Sequence, residues 1–300
     1  MEIISEKIFK LITVLIFFSF FGCGKSASKE NVATGDKTQT ITDEQNKSII
    51  KQSTSVISFS YALAIATFIP ISVSIMNQDT CTIQQGSDKY FNNCSLGGAK
   101  FSGSMKKSSQ SDSTYLMNLT FYFEVQQGQW QEFIRWESEV NISFSSYVVN
   151  SANMKIGGKE WNLSKFSISI TPQQEGSPPS YKVSFSKNTS TMKDDVSREL
   201  KATPSENFSI IIKFGEGGTF EIEASGEISF EGWCSLEFEQ TVEKMTLKTN
   251  LKDVLNSILC PQEGEMKIGD KQIKFSGNNY ELNSEKFSCE SVSKISCSFI

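Results

Sequence analysis

"VISFSYALAIATFIPISVSIM", Val56 to Met76, contains no charged residue, and the reading of the fold turns on it. Large apolar residues take the odd positions Ile57, Phe59, Tyr61, Leu63, Ile65, Ile69, Ile71, Val73 and Ile75. Small or polar ones take the even positions Ser58, Ser60, Ala62, Ala64, Ala66, Ser72 and Ser74. Alternation at two residues marks a strand with one buried face. Pro70 would break a helix interior and sits more comfortably at a bend between strands or on a sheet edge. The stretch therefore predicts a core strand or strand pair. Its length and apolarity leave two other readings open, a buried or interfacial helix and a membrane-inserting segment.

From Cys81 onward the same two-residue period recurs in run after run. Tyr115, Met117, Leu119, Phe121, Phe123 and Val125 alternate with polar neighbours, and so do Ile134, Trp136, Val140, Ile142 and Phe144. Shorter runs follow at Phe166/Ile168/Ile170, Tyr181/Val183/Phe185 and Phe208/Ile210/Ile212/Phe214. Phe220, Ile222, Ala224, Ile228 and Phe230 then alternate with Glu221, Glu223, Glu227 and Glu231, which predicts one face in a core and one acidic face in water. Cys234, Leu236 and Phe238 continue the series, and Ile295, Cys297 and Phe299 close it. Helix is scarce, with short candidates at "NLKDVLNSIL" (Asn250–Leu259) and "KDDVSREL" (Lys193–Leu200). The fold class predicted is mainly β, an antiparallel meander or sandwich-like set of sheets with one or two short helices. "MKIGGK" at Met154 and "MKIGDK" at Met266 echo one another, as hairpins of similar composition do without common ancestry.

Upstream, residues 24 to 52 are polar and mixed in charge, too poor in apolar surface to offset the entropy of ordering. They predict a tether, with Thr42 and Gln45 at capping-box spacing for a short helix near its end. Before them an apolar run from Leu11 to Phe21 follows Lys7 and Lys10 and ends in Gly22 and Cys23. It is too short to span a bilayer and has the layout of a secretory signal. "GCGKS" lacks the first glycine of a phosphate loop, Ser19 standing there. The segment resembles a bacterial lipoprotein signal, although Phe20 and Phe21 stand where that family usually has an aliphatic and a small residue. The resemblance implies cleavage before Cys23, lipidation of its thiol, and an exported protein anchored to the bacterial cell envelope, at the outer membrane or cell surface. The expected organisation is a signal peptide over 1–22, a lipidated amino terminus and tether over 23–53, and a β-rich domain over 54–300 with a break near 186–206.

Composition narrows the function. A formal net charge of −5 gives no pull on nucleic acid. The chain has no histidine, the usual general base beside a serine or cysteine nucleophile, and no catalytic motif, which predicts a protein that is not an enzyme. Paired carboxylates remain formally open, with the Glu221/Glu223/Glu227/Glu231 row and adjacent Asp194 and Asp195 the nearest sets. Beyond Cys23 six cysteines remain, Cys81, Cys94, Cys234, Cys260, Cys289 and Cys297, at spacings that match no zinc pattern and favour disulfides in an oxidising compartment. Cys81 with Cys94 and Cys289 with Cys297 close the shortest loops, leaving Cys234 with Cys260. Trp136 falls on a buried face. Trp130 and Trp161, beside the turns in "QQGQW" and "GGKEW", are candidates for exposed contact. No metal or cofactor is implied. The expected partners are a membrane, through the lipid, and a ligand outside or in the periplasm that the sequence does not name, with binding or adhesion as the role. Membrane insertion by residues 56 to 75, or an exported hydrolase using carboxylates, are the competing readings.

Overall fold

In the computed structural model, which describes residues 43–76, 80–96, 99–109, 113–143, 145–156, 159–171, 179–215, 219–233, 236–250, 261–277 and 279–295, the apolar stretch is a helix. Helix α1 runs over Glu44–Ile75, 32 residues, and this corrects both the strand reading of Val56–Met76 and the extent of the tether. Asp43 caps it, its carboxylate accepting from Gln45 N at 2.8 Å, and Glu44 adds a negative charge to the first turn. The predicted cap at Thr42 lies outside the described residues. At 100° per residue the large odd-numbered side chains fall on every side of a helix. The structure uses all of them, since Ser53 to Thr67 are buried without interruption. A helix apolar all round is one enclosed all round. Burial of Ile57, Phe59, Leu63, Ile65 and Ile69, each at most 2% exposed, contributes on the order of 1.5–3 kcal/mol per side chain. That burial tolerates the amide that Pro70 removes, a cost of about 3 kcal/mol.

The enclosure is one antiparallel sheet of 18 strands, which bears out the mainly β prediction as a single wrapped sheet. Its strands are β1 (Thr82–Gln85), β2 (Asp88–Leu96), β3 (Ala99–Lys107), β4 (Thr114–Gln126), β5 (Gln129–Ile142), β6 (Ser146–Ile156), β7 (Lys159–Leu163), β8 (Phe166–Thr171) and β9 (Ser180–Phe185). They continue as β10 (Ser190–Lys193), β11 (Glu199–Pro204), β12 (Ser209–Phe214), β13 (Thr219–Gly232), β14 (Leu236–Asn250), β15 (Glu263–Ile268), β16 (Lys271–Ser276), β17 (Asn279–Leu282) and β18 (Glu285–Ser288). Consecutive ladders join β1 through β6 and β13 through β18. Between them lie three rows, each broken in the middle. β7 and β8 together pair with β6, β10 and β9 pair with them in turn, and β11 and β12 join that row to β13. Both echoed motifs close tight hairpins, Ile156 opposite Lys159 and Ile268 opposite Lys271. A short helix α2 (Cys289–Ile295) ends the described chain, which corrects the strand that the alternation at Ile295 predicts. Residues 194–198 are a turn between β10 and β11, so no helix forms at Lys193–Leu200. The candidate helix at Asn250–Leu259 lies almost wholly outside the described residues.

The sheet curls because its strands break in register. The interruptions at 164–165, 186–189 and 205–208 align across neighbouring rows, and β13 carries a register shift beside them between Ala224 and Gly226. At Gly226 (φ +114°) a Cβ would sit 2.5 Å from Asn207 O, so only glycine lets the backbones approach and the sheet bend. On the inside of this seam Phe59 of α1 meets Phe185, Phe208 and Phe230, with ring centroids 6.0, 6.5 and 6.5 Å away. The break expected near 186–206 is thus a bend in one sheet, with a single hydrophobic core on both sides of it. Contacts to α1 come from the whole width of the sheet. Phe214 reaches Phe68, Tyr147 hydroxyl lies 3.0 Å from Ser74 Oγ, and Tyr280 hydroxyl lies 2.5 Å from Ser53 Oγ. Lys89 Nζ donates to Ser74 O and Met76 O at 3.3 and 3.1 Å, capping the carboxyl end of the helix with a cation. Burial pushes the Lys89 ammonium below its ordinary pKa.

Candidate functional site

Strand direction decides which groups share an end of the sleeve. Lys89 and Tyr147, near the starts of β2 and β6, touch the carboxyl end of α1. Phe230, near the end of β13, touches Phe59 in its amino-terminal half. Antiparallel pairing then places the β2–β3, β4–β5, β6–β7, β10–β11, β13–β14, β15–β16 and β17–β18 connections at the amino end of α1. The 3.3 Å contact of Asn46 with Glu285, beside the β17–β18 turn, agrees. This end is the proximal rim, where the chain from Cys23 reaches the domain.

The β4–β5 hairpin projects from the rim. β6 ends at Ile156 opposite Ile134, so Trp130 to Glu132 pair with β4 alone and Phe133 falls at a bulge between them and Ile134. Phe123 and Phe133 pack edge to face across the overhang, 5.6 Å between centroids. Gly128 (φ +79°) forms the tip, its amide donating to Glu124 Oε1 at 2.5 Å. Trp130 is half-buried, with Lys100 Nζ 4.3 Å from its ring centroid, an attraction of about 0.5–1 kcal/mol at such a site. A second rim corner had no sequence signal. Arg198 stacks 3.9 Å from the Trp233 ring, and Val196, two residues before Arg198 in the same turn, is 65% exposed. Asp194 holds this corner together, accepting from Val196 N at 3.1 Å, Arg198 N at 2.8 Å and Arg198 Nε at 2.6 Å. Desolvation pushes the Asp194 carboxyl up, but these hydrogen bonds and the guanidinium charge outweigh it and hold the pKa below the ordinary value. Neighbouring Asp195 is exposed, so the two aspartates form no paired site. Burial lowers the Lys159 ammonium, against the opposing charges of Asp194 and Asp195.

Trp161 corrects the sequence reading. It is fully buried, on the inner face between Met154 and Met192. The signal was present, since Trp161 shares parity with buried Leu163. Trp136 is buried as expected.

The acidic row lies on the outer face as expected but is answered by lysines from the neighbouring strand. Glu223 pairs with Lys213 at 2.6 Å and Glu231 with Lys201 at 3.4 Å, and the hydrogen bond that Lys213 Nζ donates to Glu223 raises the lysine's pKa. Lys244–Glu265 and Lys267–Glu243 repeat the pattern across the β14–β15 ladder. A ladder of opposite charges on an open sheet face is not the carboxylate pair of a hydrolase, which must flank one bond. Along the outside of the seam an open recess is lined by Lys187, Thr203, Ser205, Asn207, Glu227 and Ser229. Ser205 and Asn207 there are committed to each other and to the β13 backbone. No group of three or more metal-ligating side chains occurs among the described residues.

Compared with protein-family models, curated proteins and solved structures, the chain matches none. Cys81 and Cys94 form a disulfide, Cα atoms 5.2 Å apart, fastening the residue before edge strand β1 to β2. Cys289 is also disulfide-bonded. Cys23, Cys234, Cys260 and Cys297 lie outside the described residues.

Proposed function

We propose that the protein is a lipid-anchored, non-catalytic binding or adhesion protein of the bacterial cell envelope, held by Cys23 and presenting the β sleeve to the periplasm or the exterior. The Cys81–Cys94 disulfide carries this reading, because such bonds persist in oxidising compartments and export is what the signal before Cys23 implies. The outer sheet face is occupied by its own ion pairs, which leaves hairpin ends and the edge strands β1 and β18 as contact surfaces. Among the described residues no ladder joins those two edges. The decisive experiment is the intact mass of the native protein with and without reduction and alkylation. The expected mass is that of Cys23 to Ile300 plus lipid, with all cysteines beyond Cys23 alkylated only after reduction. Cleavage elsewhere with no lipid would remove the anchor from the proposal.

A second reading has one observation in its favour. α1 is long and apolar enough to cross a membrane, so a sleeve that opened could deliver it to a bilayer. Against this, 94% of its most apolar 18-residue stretch is buried inside the protein.

A further inference from the structure

We infer that the proximal rim docks on a lipid surface, the overhanging β4–β5 hairpin and the Trp233 corner settling into the headgroup zone of the membrane that holds the anchor. The inference rests on the lipid-anchored reading and adds to it a contact surface and an orientation. Three observations carry it. The first is where the chain arrives. Nineteen residues lie between Cys23 and Asp43 at the rim, a span of at most about 70 Å when fully extended, so the rim is the end of the sleeve joined to the anchor and lies within reach of its bilayer.

The second is the chemistry of the rim. Trp130 and Trp233 are partly exposed, and each carries a cation against its ring, Lys100 and Arg198. An indole with an apolar body and a polar N–H, beside a snorkelling lysine or arginine, is the pairing favoured at a membrane interface. Val196, at 65% exposure, is the most exposed large apolar residue among those described. The other two tryptophans, Trp136 and Trp161, are fully buried, so both partly exposed indoles stand at one end of the molecule.

The third is charge. Around these two corners Lys100, Arg135, Lys155, Lys159, Lys193 and Arg198 are interspersed with Glu124, Glu132, Glu160, Asp194, Asp195 and Glu199, and several are paired, such as Arg135–Glu132 and Lys193–Glu199. A balanced rim has no preference for anionic lipid, so the surface is a zwitterionic headgroup layer entered by aromatic side chains, and salt leaves the contact unchanged.

The test uses the lipidated protein, Cys23 to Ile300, on phosphatidylcholine vesicles whose acyl chains carry bromine, a short-range quencher of indole emission. The expected result is that the protein floats with the vesicles and loses part of its tryptophan emission, equally at low and high salt. The Trp130→Phe/Trp233→Phe variant should float as well and lose that quenching, its remaining emission coming from Trp136 and Trp161, which also report that it is folded. Should the pair fail to fold, the two single variants should each lose part of the quenching. Wild-type protein that floats without quenching, or a variant quenched as strongly as wild type, would overturn the docking and leave the anchor standing, with the rim free for a protein partner. Protein that does not float would overturn the anchored reading and the docking with it.

Discussion

Ser53, Ser60, Thr67 and Ser74 are spaced by sevens along α1, which keeps them on one stripe with a drift of about 20° per step. The end members are pinned by sheet tyrosines, Ser53 by Tyr280 and Ser74 by Tyr147. The middle members are not, since Ser60 Oγ and Thr67 Oγ1 are buried and have no hydrogen-bond partner among the described residues. The inner sheet wall holds similar groups in Trp136 Nε1, Trp161 Nε1 and Ser138 Oγ. Leaving a buried hydroxyl unsatisfied costs about 1–3 kcal/mol. Thr67→Val keeps the shape and the β-branch while removing the hydroxyl, so it should raise stability by about 1 kcal/mol, seen as a higher denaturation midpoint with an unchanged slope in urea. A loss of that size would mean that Thr67 bonds an ordered water in the interior.

At the scale of the element, the sheet was legible and the helix was not, for one reason. Met117/Leu119/Phe121 and Phe220/Ile222/Ala224 lie in strands with one face in water, so polar residues mark the outer face and the period shows. α1 has no face in water, and its sequence is free to lack a polar side. The chance alternation of large and small residues between Ile57 and Ile75 then imitates a strand, although a charge-free run of 21 residues is long for one. The short Cys81–Cys94 loop was readable because proximity in sequence limits partners. Trp161 was misjudged because standing next to a turn says nothing about which face a side chain takes. The Trp233–Arg198 corner is assembled across strands and left no local trace. The two tyrosine pins, with Tyr181 on the inner wall beside Phe214, give the core a pH signature. Burial raises the hydroxyls of Tyr280, Tyr147 and Tyr181, that of Tyr181 to about 12, from an ordinary 10.0. In the unfolded chain they ionise at 10.0 while the folded protein still holds the protons. Stability is therefore intact below pH 10 and falls above it, by up to about 1.4 kcal/mol per pH unit for each tyrosine. Chemical denaturation between pH 8 and 11 should show that fall, and Tyr280→Phe should make it shallower. An equal slope in the variant would remove Tyr280 from the account.

At the scale of the whole molecule, α1 and the sheet are mutually dependent, because neither buries its apolar surface without the other. The inner wall has α1 as its filling, and α1 has lining on every side between Ser53 and Thr67. No partial opening exposes a helix amide cheaply. Freeing Phe59 alone breaks its contacts with Phe185, Phe208 and Phe230 across three rows of the sheet. Native-state hydrogen exchange should therefore find the amides from Val56 to Ile69 protected as strongly as the centres of β5 and β13, with the same dependence on denaturant, since all of them need global unfolding. The outcome decides between the two uses of the apolar segment. If α1 exchanges with the sheet core, the helix is the permanent filling of the sleeve and membrane contact is left to Cys23 and the rim. If α1 exchanges well before the sheet, the sleeve opens as a unit of lower free energy. A helix long enough to cross a bilayer is then available to do so, and the insertion reading takes precedence over docking.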